Sequence, residues 1–258
     1  MRYKIVKQKF AAMKSAIKLL LLVTVTFLSA SFKPIAIDPK DLIGAWGYGP
    51  ENRKSVMIVT DHVFSIAIYD VPGKKMIGSY GGTWKIDNNI ITGQMEWNSF
   101  DTTQAGENFT QEPQIKEGKL FLQGDEGQGP WIRLDDGKPG ALAGAWVITG
   151  NYRNDTVSKR ASPFYPRRTM KVLSGKYFHW IAYNVVTKSF LNAGGGTYTT
   201  AKGKYTENIE FFTKTPASVG KSLSFDYSFV NGDWRHKGEK STGGAMDECW
   251  SKRETLEK

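Results

Sequence analysis

The stretch GKYTENIEFF, residues 203–212, sets two carboxylates three positions apart, Glu207 and Glu210. Two carboxylates in one pocket can divide general-acid and general-base work. The aromatic and β-branched residues around them predict a strand, and on a strand residues three apart point to opposite faces. Glu207 and Glu210 therefore cannot pair within one pocket. By alternation Tyr205, Glu207, Ile209 and Phe211 share a face that is expected to point inward, and Glu210 is expected to meet solvent. An inward carboxylate needs hydrogen-bond partners or water. Tyr198, Tyr205 or a ligand could supply them. A wet barrel mouth, or a bulge that reverses the register, would accommodate the carboxylate equally well.

Other reactive groups are sparse. His62, His179 and His236 lie far apart, with none at ligand spacing to another, so no metal is expected. His179 falls on the outward face of its strand. The run GGGTYT at 194–199 lacks the Gly-Lys-Thr of a phosphate loop and leads into a strand, so its glycines read as a bulge or tight bend. There is no Gly-x-Ser-x-Gly elbow, and no cofactor is expected. Cys249 is the only cysteine, which excludes an internal disulfide and suits a small core residue.

The elements that must position these residues come in two copies. DLIGAWGYG at 41–49 returns as ALAGAWVITG at 141–150. Val56–Trp97 then aligns without a gap on Met170–Phe211, an offset of 114 that pairs Phe64 with Phe178, Tyr69 with Tyr183 and Glu96 with Glu210. Two homologous domains are expected, 40–137 and 139–256, joined by DDGKPG. The second carries a 14-residue insertion within NYRNDTVSKRASPFYPRR. Short β-rich runs such as VFSIAIYD and NIITGQMEW, broken by Gly, Asn and Asp, predict an all-β fold of two tandem antiparallel barrels.

Charge excludes one class of partner. The chain of 258 residues has 35 basic and 25 acidic residues. Six of the basic ones lie in residues 1–31, which hold no acid, so the remainder is only +4 (29 against 25). No nucleic-acid footprint is indicated. The leader has a positive start, an apolar run from Leu19 to Leu28 and small residues after it. That pattern is a secretory signal peptide over 1–31, with cleavage expected near Ala30 or Ser31. Its apolar run is shorter than the ~20 residues of a membrane span, so no stable span is expected after cleavage. Periplasmic or extracellular export follows as the expectation.

Gly-x-Trp on the first strand, a meander, and a basic residue near the last strand together resemble the lipocalin pattern. More narrowly, GGGTYT followed by GKYTENIEFF resembles the lipocalin-like domains of secreted Bacteroidetes-type proteins (the DUF4488 kind). The resemblance implies that Trp46 and Trp146 plug one barrel end. It implies lids of Arg133 on the first and of Lys252 or Arg253 on the second.

The two copies differ at inward positions. Ile66 becomes Trp180, Ile91 becomes Tyr205, Gly93 becomes Glu207 and Trp84 becomes Tyr198. Domain two thus combines aromatic surface with polar handles, as ligand pockets do. A binding protein holding a small apolar or amphipathic molecule is expected, with Phe178, Trp180, Tyr198, Tyr205 and Glu207 lining the site. Arg160, Arg167 and Arg168, in or beside the insertion, suit an anionic group on that molecule. The alternatives are an envelope interaction module with filled barrels, or an enzyme acting on a sugar or lipid with Glu207 as acid or base. The sequence pattern is silent on oligomeric state.

Overall fold

The computed structural model describes residues 36–123, 129–241 and 243–257, so the expected signal peptide lies outside the described residues. From Ile37 onward the chain is one compact unit. Apart from the four-residue helix α1 (Pro39–Leu42) and four single 3-10 turns, the regular structure among the described residues is strand. The first sheet contains β1 (Gly44–Tyr48), β2 (Lys54–Val59), β3 (Val63–Asp70), β4 (Lys75–Asp87), β5 (Ile90–Asn98), β6 (Asn108–Gln111), β7 (Gln114–Lys116), β8 (Lys119–Phe121) and β9 (Trp131–Arg133). The second contains β10 (Gly144–Arg153), β11 (Thr156–Lys159), β12 (Arg167–Leu173), β13 (Tyr177–Asn184), β14 (Ser189–Ala201), β15 (Lys204–Phe212), β16 (Ser222–Val230), β17 (Asp233–Glu239) and β18 (Ala245–Lys252).

The fold is all-β, with two antiparallel barrel-like sheets, as expected. In the second, β10 pairs with both β12 and β18, closing a ring of eight strands. The insertion extends β10 into a hairpin with β11 at the side of that ring. The first sheet runs β6-β5-β4-β3-β2-β1-β9-β8-β7 and stays a curled half-barrel, since β6 and β7 do not pair. Those two strands are four and three residues long and are separated by Glu112-Pro113. Pro113 has no N–H to give to a closing ladder.

Each sheet starts the same way. The Trp46 indole N–H donates to the Leu42 carbonyl at 2.8 Å, and that of Trp146 to Leu142 at 2.9 Å. The Arg133 guanidinium stacks over Trp46 at 4.1 Å, and the Lys252 ammonium lies 5.7 Å from the Trp146 ring.

The sheets pack outer face to outer face around an approximate two-fold. β2 meets β13 and β3 meets β12; β4 meets β15 and β5 meets β14. Because the partners are repeats of one another, this contact has the form of an isologous dimer interface inside one chain. Val63, Ala67, Tyr69 and Trp97 from the first sheet share one core with Tyr177, Ile181, Tyr183 and Phe211 from the second. Tyr69 stacks on Phe211 at 4.6 Å, and its counterpart Tyr183 lies 5.1 Å from Trp97.

This packing corrects several expectations. Glu96 and Glu210 do not stand free in solvent; both are part-buried against the other sheet. Glu210 accepts from Tyr69 (2.5 Å) and Lys54 (3.0 Å) of the other sheet. Glu96 likewise accepts from Tyr183 and Arg168, both at 2.5 Å, and from Arg253 through two bonds of 2.6 and 2.7 Å. Burial alone would raise the Glu96 carboxyl, but the Arg253 and Arg168 guanidinium groups outweigh it and hold it at about 2. His179 does point out of its barrel, yet the other sheet buries it. Its ring bonds Ser65, the residue that occupies its own position in the repeat. Trp97 and Phe211 also lie on this outer face rather than inward, because a bulge precedes them. Gly82 faces Met95 and Gly81 faces Trp97; Gly196 faces Ile209 and Gly195 faces Phe211. Glu96 and Glu210 are the extra residues, and each flips the chain that follows it.

Candidate functional site

The interior of the closed barrel holds an open cavity of about 320 Å3. Alternation along β12 turns Lys171 inward, and alternation along β15 turns Tyr205 and Glu207 inward. The Lys171 ammonium donates to Glu207 Oε1 at 2.6 Å, and the Tyr205 hydroxyl donates to the same oxygen at 2.8 Å. Lys171 is 4% exposed and Glu207 7%. Rings surround the ammonium: Tyr205 at 4.9 Å, Trp234 at 5.2 Å and Trp250 at 5.5 Å. A cation in such a cage gains cation–π attraction that grows as water is removed.

His236 on β17 completes this polar group. It is buried against Phe225, with ring centroids 4.4 Å apart. Neither ring nitrogen has a hydrogen-bond partner, and Nδ1 stands 3.6 Å from Glu248 Oε2. Burial, reinforced by the Lys171 charge, pushes His236 down to about 4, so the ring is neutral at pH 7. A neutral imidazole offers one donor and one acceptor. Buried polar groups are nearly always bonded, so an imidazole left free beside a cavity is set up to meet a guest. Exposed Lys214 and Lys240 and the carboxylate of Glu248 also line the cavity.

Of the five residues expected from the sequence, Phe178, Trp180 and Glu207 line the cavity. Tyr205 stands behind them and orients Glu207. Tyr198 faces the same interior cluster, but its hydroxyl is committed to the Ser174 carbonyl at 2.5 Å. Arg168 serves the junction with the first sheet, and Arg160, Arg167 and Arg168 are not among the lining residues. Lys171, His236 and Trp250 are further site residues that the sequence reading missed. Lys171 was traceable, since the 114 offset places it on Met57, one position after Val56. His236 alternates with Trp234 on β17 and so shares its inward face.

Two other hollows have different character. A cleft of about 380 Å3 at the ends of both sheets is lined by loop residues, by Val59, Val63 and Leu173, and by charged groups, of which Arg253 pairs with Glu257 and Lys252 with Glu254. It offers no aromatic platform. The first sheet curves around about 310 Å3 at the position equivalent to the barrel cavity, and there the lining is mostly apolar and carries no charged side chain among the described residues. Among the described residues no cluster of three or more His, Cys, Asp or Glu could hold a metal ion, and no helix is long and apolar enough to cross a membrane. Cys249 is buried on β18, where burial raises its thiol. No protein-family model matches the chain, and no curated protein matches it significantly.

Proposed function

We propose that this is an exported, periplasmic or extracellular, binding protein that holds a small amphipathic molecule in its second barrel. The leader pattern supports export, and the cavity supports binding. The observation that carries the reading is the buried Lys171–Glu207 pair beside an open aromatic cavity. A buried ion pair seldom improves stability over apolar residues of similar size. The equivalent positions of the first sheet, Met57 and Gly93, carry no charge, so the repeat does not require the pair in order to fold. Its use is then recognition. The volume, about 320 Å3, lies at the small end of the ~300–1,000 Å3 of ligand pockets. Trp180 and Phe178 suit an apolar or ring-shaped body. Glu207, Lys171 and His236 suit a hydrogen-bonding group on it, and Lys214 with Lys240 suits an anionic one.

An anionic aromatic probe, 1-anilinonaphthalene-8-sulfonate, tests this against the full chain by fluorescence. Saturable binding is expected, weakened at least tenfold by Trp180→Phe or by Lys171→Met/Glu207→Gln. Affinity unchanged in both variants, but lost in Trp84→Phe, would move the site out of the second barrel.

A further inference from the structure

The hollow of the first sheet is a modified copy of the barrel cavity. Lys171 is replaced by Met57 and Glu207 by Gly93, so both members of the ion pair are absent together. Tyr205 is replaced by Ile91 and Trp180 by the smaller Ile66. The result is about 310 Å3 walled by Phe64, Ile66, Ile91, Phe109 and Leu120, with no charged side chain among the described lining residues. Gly93 makes room for this arrangement, because a Cβ there would come within 2.6 Å of the Phe109 ring. Protein interiors are close-packed, with few voids larger than a water molecule. Apolar spaces of this size take up apolar guests.

The amides of Gln111 and Gln123 and the Tyr80 ring interrupt the wall. Gln111 lies at the end of β6, beside the gap that leaves the sheet open, and its side-chain oxygen is buried without a hydrogen-bond partner. The Trp84 indole N–H of the same lining is already used, since it donates to the Thr60 carbonyl at 2.8 Å. An unmet buried acceptor costs stability until a donor reaches it. A mostly apolar space with an unmet acceptor at Gln111 matches an apolar body with one donor.

We propose that the first sheet carries a second binding site, independent of the one in the closed barrel, for a hydrocarbon-bodied molecule bearing a single hydroxyl, as in a medium-chain alcohol. The chain thus holds two sites of opposite chemistry at equivalent places in its repeat. The barrel takes a ligand with charged or multiple polar groups, and the curled sheet rejects charge because no charged side chain in its wall would compensate a desolvated ion.

Calorimetric titration of the full chain with 1-octanol, octane and octanoate tests this. One equivalent of 1-octanol should bind, and octanoate should bind at least tenfold more weakly. Ile66→Trp and Ile91→Tyr copy the residues of the second repeat into the hollow, and each should weaken 1-octanol at least tenfold. Two such variants are specified so that a failure of one to fold, seen by circular dichroism, leaves the other as the probe. Gln111→Leu should remove the preference for 1-octanol over octane. Lys171→Met/Glu207→Gln should leave 1-octanol binding unchanged. Absence of 1-octanol binding to the wild-type chain, indifference to both filling substitutions, or loss of binding in the Lys171/Glu207 variant would each overturn the proposal.

Discussion

Lys171 and Glu207 are held in place by each other and by the rings around them. Removing one member strands the other charge inside the barrel. Lys171→Met is expected to cost about 3–5 kcal/mol, the usual penalty for breaking a buried pair. Lys171→Met/Glu207→Gln should recover most of that loss, because Tyr205 can still donate to the amide oxygen. Urea unfolding of the single and double variants measures this; a double variant no more stable than Lys171→Met would mean that the two charges are not coupled. The inward turn of Glu207 was legible from alternation with Tyr205 and Ile209. The partner was not, because lysine is almost always at the surface and nothing local marks an exception. Only the repeat carried a trace of it, by setting Lys171 on the apolar Met57.

At the scale of the element, the bulges in β5 and β15 decide which face each residue serves. They let Ile209 point into the barrel while Phe211 points to the other sheet. Gly196 sits at the crossing with φ +152°, and a Cβ there would come within 2.1 Å of the Asn208 carbonyl oxygen. Gly196→Ala is therefore expected to destabilise by roughly 2 kcal/mol or more, within the range of backbone-strain substitutions. Thermal unfolding checks it, and an unchanged melting temperature would show that the bulge does not need the close approach. The strands themselves were readable from their β-branched and aromatic alternation. The faces beyond the bulges were not, because counting by twos assumes that no residue has been inserted. The run of glycines hinted at a bulge without fixing which opposite residue would be the extra one.

In the whole molecule the two repeats bury their outer faces against each other. That explains why β3 and β13 are apolar on both sides, a pattern that marks strands covered on both faces. The sequence showed the repeat but not which face of one copy would cover the other, so Glu96, Glu210 and His179 read as surface residues. The burial of Glu96 and His179 at this junction, and of His236 inside the barrel, makes stability depend on acidity. Burial lowers His179 to about 3 and His236 to about 4, against an ordinary 6.5. Both contributions are complete above pH 6.5 and are lost as pH falls toward those values. Glu96, held at about 2 against 4.5, adds a further loss between pH 4.5 and 2. Between pH 7 and 4.5 each histidine should cost on the order of 2 kcal/mol. Urea unfolding at the two pH values, with His179→Asn flattening the difference, measures it; equal stability at both would mean that these rings are not buried neutral. The most direct test of the account as a whole is native mass spectrometry of the full chain isolated from the cells that make it. A small molecule is predicted to ride on the wild-type protein and to be missing from Lys171→Met/Glu207→Gln isolated in the same way. A wild-type chain that carries nothing the variant lacks would contradict a binding site in the second barrel.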